Sequence, residues 1–116
     1  MIFRIPSIDR KTGEIAYFEF PAIAILELTI GDVRRKFVVH EGKGSQIDQT
    51  VLSDFKSGFG IKPFEPFIVE MLALGVAGAD DMHKVGQYII DRLVSTVGAD
   101  VLLDKMNSRP VVNFEN

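Results

Sequence analysis

A chain of 116 residues holds one domain of ordinary size and leaves too little for two. Apolar residues make up 47% and charged residues 25%, a globular balance that excludes a disordered chain, and the net charge of -3 names no partner class. The absence of cysteine excludes a thiol nucleophile, a cysteine-ligated metal centre and any disulfide.

The start, Met1 to Pro6, lacks the apolar core of a signal peptide. The longest apolar run, Phe67 to Ala79 interrupted by Glu70, falls short of the roughly 20 residues that a membrane helix needs. These features lead to the expectation of a soluble, cytoplasmic protein with no membrane partner.

The chain reads as strands up to about residue 62 and as helices over 63–107, with 110–116 as a tail or edge strand. Strands followed by helices imply α+β organisation within one domain, 1–116. The first hairpin joins Ile2–Ile8 to Glu14–Phe20 through Asp9-Arg10-Lys11-Thr12-Gly13, where aspartate starts a turn and glycine supplies positive φ. Pro21 then separates the second strand from the third, because it cannot donate to a ladder.

Gly31-Asp32 is a two-residue hairpin loop, and it fixes a register. Ile30 faces Val33, Leu26 faces Phe37 and Ala24 faces Val39. On the other face Glu27 meets Lys36, Ile25 meets Val38 and Ile23 meets His40. The Glu27–Lys36 pair is worth about 0.2–1 kcal/mol. Arg35 alone breaks the pattern, falling opposite Leu28 on the apolar face, where snorkelling at the sheet edge would accommodate it.

Residues 42–61 support two readings. Ser45 and Asp48 would cap a helix carrying Ile47, Val51, Leu52 and Phe55. Alternatively Gln49–Phe55 is a strand that turns at Lys56-Ser57-Gly58 into Phe59–Lys62, and Thr50-Val51 with the glycines at 58 and 60 favour this hairpin. The stretch Thr50 to Gly58 resembles strand–turn segments of small phage-borne or mobile-element proteins; it covers under a tenth of the chain and implies no activity.

A helix is expected from Pro66 to Gly75, with Glu65 outside it because a residue before proline is driven from helical geometry. It is apolar nearly all round apart from Glu70. The next helix is capped by Asp80 or Asp81 and carries one stripe, Met82, Val85, Ile89, Ile90, Leu93, Val94 and Val97. Gly86 lies on that side and would let another element approach closely, and Gly98 suits the left-handed C-terminal position. A short helix over Asp100–Met106 follows, and Val111–Phe114 could return as an edge strand.

Candidate chemistry is sparse. His40 beside Glu41 could act as a general base, but adjacent strand residues point to opposite faces, so an edge histidine is the simpler reading. His83 with Asp80 and Asp81 offers too few ligands for a tight metal site, and a cap explains the acids. Glu41-Gly42-Lys43-Gly44-Ser45 lacks the spacing of a phosphate loop, and Ser57-Gly58 lacks the nucleophile elbow. Arg34-Arg35-Lys36 with Lys43 forms a basic strip suited to a nucleic-acid backbone.

The apolar segment 64–79 carries more weight. A small domain has limited interior to cover such a helix on every side, so Phe64, Phe67, Met71 and Leu74 are candidate interaction residues. The resulting expectation is an antiparallel sheet of two or three hairpins packed on two or three C-terminal helices. It works as a non-catalytic module that binds a protein partner or itself as a homodimer, through this segment or an open sheet edge. No cofactor, metal or catalytic residue is assigned. The alternatives are a nucleic-acid-binding accessory protein using Arg34, Lys36 and Lys43, and an enzyme or weak metal site using His40 or His83.

Overall fold

The computed structural model describes residues 2–8, 11–42 and 49–113. Among the described residues, six strands precede three helices: β1 (Ile2–Ile8), β2 (Ile15–Pro21), β3 (Ala24–Ile30), β4 (Val33–Glu41), β5 (Thr50–Asp54), β6 (Gly60–Pro63), α1 (Glu65–Ala73), α2 (Met82–Val97) and α3 (Ala99–Asn107). The α+β expectation holds. The second hairpin has the register its loop implied, from Ala24 opposite Val39 to Ile30 opposite Val33. Residues 50–63 form the β5–β6 hairpin rather than a helix; the cap expected at Ser45 and Asp48 lies outside the described residues.

The strands make two sheets. β3-β4-β5-β6 is an antiparallel meander, while β1 and β2 pair only with each other. One face of the meander presents Leu26, Leu28, Ile30, Phe37, Val39 and Leu52 to the helices, which answer with Val85, Ile89, Ile90, Leu102 and Met106. Alternation along each strand sends Val38 and His40 to the opposite face. The β1–β2 hairpin folds over part of that face and buries Phe3 against Val38 and Phe55. A lone hairpin is marginal in water, so this docking is what orders it.

Several local features differ from the sequence expectation. Glu65 is the first residue of α1, not a residue outside it. Its Oε1 accepts the Thr50 amide at 2.7 Å, a charge-assisted bond that outweighs the restriction imposed by Pro66. Gly98 has positive φ, at 88°, but ψ is 150°, so it is not left-handed helical. It ends α2 and starts α3 in one residue, which turns the chain sharply back. No strand forms over 111–113. The amides of Val112 and Asn113 instead donate to the Lys56 carbonyl. Asn113 also exchanges two hydrogen bonds of 2.9 Å with the backbone of Arg4, imitating a paired strand residue. Phe114 lies outside the described residues.

Arg35 is held rather than snorkelling. Its Nε and Nη2 donate to the two oxygens of Asp54 at 2.6 and 3.0 Å, and Nη1 donates to Asn107 Oδ1 at 2.7 Å. Asp54 is fully buried and also accepts the Ser57 hydroxyl and amide. One bidentate pair therefore joins β4, β5, the β5–β6 turn and the end of α3.

Two variants test this packing by urea unfolding. A Cβ at Gly86 would lie 3.0 Å from Leu26 Cδ1 and 3.2 Å from Leu28 Cδ1. Gly86→Val should therefore cost about 1–3 kcal/mol through overpacking between α2 and β3. Arg35→Met leaves the Asp54 carboxylate buried without its cation and should cost about 3–5 kcal/mol. A loss under about 1 kcal/mol in Arg35→Met would contradict the central position given to the pair.

Candidate functional site

The two histidines are taken up by structure. His40 is buried, not an edge residue, and lies between the rings of Phe3 and Phe20 at centroid distances of 5.3 and 5.4 Å. Nδ1 sits 2.8 Å from the Glu41 carbonyl oxygen, which can only accept, so Nδ1 carries the proton. Nε2 then accepts the Ser53 hydroxyl at 2.8 Å. The spacing resembles a base and its nucleophile, but Ser53 is fully buried and the partner of Nδ1 is a carbonyl. In this conformation the pair meets no substrate. Burial lowers the His40 pKa from its ordinary value, opposed by the bond to Glu41.

His83 does not gather ligands. Its Nε2 donates to the Glu27 carbonyl at 2.9 Å, while Asp81 caps α2 by accepting the Lys84 amide. One turn on, Gln87 accepts the Thr29 amide at 3.0 Å and donates to the Thr29 carbonyl at 2.9 Å. Residues four apart share a helix face, so His83 and Gln87 together satisfy the outer backbone groups of the edge strand β3. That part of the sheet edge is closed to another strand. Among the described residues, no cluster of three metal-ligating side chains occurs.

The apolar segment divides into an inner and an outer face. Phe64 and Met71 are buried core residues, and Phe67 is half-buried against Tyr88. Of the contact residues the sequence offered, Phe64 and Met71 thus lie inside the core. Leu74 is 66% exposed, and it is joined by Leu72 at 66% and Val69 at 65%, neither of which the sequence reading had selected. The spacing of Phe64, Phe67, Ile68 and Met71 carried the missed signal: it is one helical stripe, leaving 69 and 72 on the other side.

α1 is fixed on α2 without a partner's help. Glu70 pairs with Arg92 at 2.9 Å, so its counter-ion belongs to the same chain. Burial and a hydrogen bond to Glu70 raise the Tyr88 pKa, which keeps the phenol protonated beside that carboxylate. Next to the exposed α1 residues, Met71, Val76, Ala77 and Tyr88 contribute to the lining of an open cleft of about 280 Å³.

The basic strip is rearranged rather than lost. Arg34 is exposed, Lys36 lies over the Phe55 ring at 5.3 Å, and Lys43 lies outside the described residues. The fold adds Lys56, because the Phe55 amide donates to the Lys36 carbonyl and brings the β5–β6 turn beside β4. Arg34, Lys36 and Lys56 line one cleft of about 330 Å³ together with Glu27 and Val33.

No protein-family model, curated protein or solved structure matches this chain. No helix among the described residues is long and apolar enough to cross a membrane.

The tautomer assigned to His40 predicts an acid-sensitive fold. The unfolded chain takes up its proton near pH 6.5, before the folded chain does. Unfolding free energy should therefore hold above that pH and fall as pH drops through and below it. The His40 ring signal, followed by NMR in the folded protein, should titrate with a midpoint below 6.5; a midpoint above it contradicts a neutral, buried ring.

Proposed function

We propose that this protein is a non-catalytic interaction module whose contact surface is the outward face of α1. The observation that carries the reading is the exposure of Val69 and Leu72 on the outward side of α1 and of Leu74 at its C-cap, each about two-thirds exposed. Single exposed aliphatic residues are ordinary, but three within six residues, at the end of one short helix, are the kind of surface that protein partners cover. Val76 at the cleft rim extends it. The internal Glu70–Arg92 and Phe67–Tyr88 contacts tie the inner side of α1 to α2, which leaves the outer side turned to solvent.

The bound partner is a second copy of the chain or another protein presenting an apolar surface. Leu72→Asp/Leu74→Asp tests the surface without touching the core. These positions are exposed, so thermal stability should stay within about 0.5 kcal/mol of the parent. Self-association by light scattering, or co-purification of a partner from cells, should weaken at least about tenfold, as loss of central apolar contacts does. Unchanged association in the folded variant removes α1 from the interaction surface.

A further inference from the structure

We propose that the cleft between β4 and the β5–β6 turn receives an acidic peptide segment bearing aliphatic side chains, contributed by a protein partner. This surface lies on the sheet, away from α1, and does not depend on the role given to α1.

Three cations converge there from two elements. Arg34 and Lys36 project from β4, and Lys56 comes from the turn. The turn is pre-set: Asp54 accepts from Ser57, and the Lys56 carbonyl is gripped by the amides of Val112 and Asn113. Lys36 is braced on the Phe55 ring. Among the described residues, neither Arg34 nor Lys56 has an ion-pair partner. Arg35 adds its stem to the lining, but its guanidinium is held by Asp54.

The lining selects the class of anion. Glu27 stands among the cations, and Val33 is 44% exposed at the rim. Nucleic-acid surfaces are strongly positive and polar, whereas here Glu27 lowers the net positive charge of the cleft and a phosphate backbone would leave Val33 unmatched. A peptide with alternating acidic and aliphatic side chains matches the cations and the apolar rim together, placing carboxylates on Arg34 and Lys56 and an aliphatic group on Val33.

The test uses the full chain and fluorescence anisotropy with three labelled probes: a decapeptide alternating glutamate and valine, its lysine–valine counterpart, and a single-stranded oligothymidylate. The glutamate peptide should bind saturably, and more weakly when the Debye length shrinks from about 30 Å to about 8 Å on raising the salt. Arg34→Gln/Lys56→Gln, checked as folded by circular dichroism, should bind it about tenfold more weakly. Leu72→Asp/Leu74→Asp should bind it normally. The proposal is overturned by no binding at low salt, by equal binding of the lysine peptide, or by undiminished binding in the glutamine variant. Tighter binding of the oligothymidylate reassigns the cleft to nucleic acid. Loss of binding in the α1 variant places the peptide on α1, and either result overturns the proposal as well.

Discussion

The Arg35–Asp54 pair is the contact on which the arrangement of elements most depends. An arginine facing leucine across a two-stranded ladder would be a defect in the apolar face. Asp54 stands on the next strand, at the end of the β4–β5 ladder, and returns both carboxylate oxygens to the guanidinium. The same carboxylate takes the Ser57 hydroxyl and so shapes the turn that follows. Asn107 closes the remaining side from α3. Buried ion pairs are weak evidence for net stability, but losing one partner is costly, and that asymmetry ties the sheet, the turn and the last helix into one register.

A four-stranded meander has two faces and two edges, and this chain covers them by different means. The helical layer takes the face built from leucine, isoleucine and phenylalanine. The first hairpin takes part of the other, with Phe3 and Phe20 closing over His40. His83 and Gln87 reach back from α2 to the exposed backbone of β3, so the helix covers the face and part of the edge at once. Asn113 does a similar service for β1. Polar side chains that might have been chemistry are thereby assigned to backbone groups that would otherwise lack partners.

Two of the surfaces left open among the described residues differ in character. One is the aliphatic outer side of α1, whose inner side contacts α2. The other is the cationic cleft beside β4, with its embedded glutamate and aliphatic rim. Under the proposed function, these two dissimilar surfaces are where partners would meet the domain.

The sequence by itself determined much of what depends on neighbours along the chain. The Gly31-Asp32 loop set the β3–β4 register, because a two-residue turn leaves one pairing and a slip would reverse the faces. The stripe from Met82 to Val97, its aspartate cap and the close approach at Gly86 were equally legible, since helical period and capping are local. The inner stripe of α1 was present too, in the spacing of Phe64, Phe67, Ile68 and Met71, but overall apolarity hid it. Only the tertiary structure decided what rests on distant pairing. The separation of β1–β2 from the main sheet, the burial of His40, the partner of Arg35 and the arrival of Lys56 beside Arg34 all join residues far apart in the chain. No local pattern encodes which buried polar group will meet which, because each such bond exists only once packing has removed water from both partners.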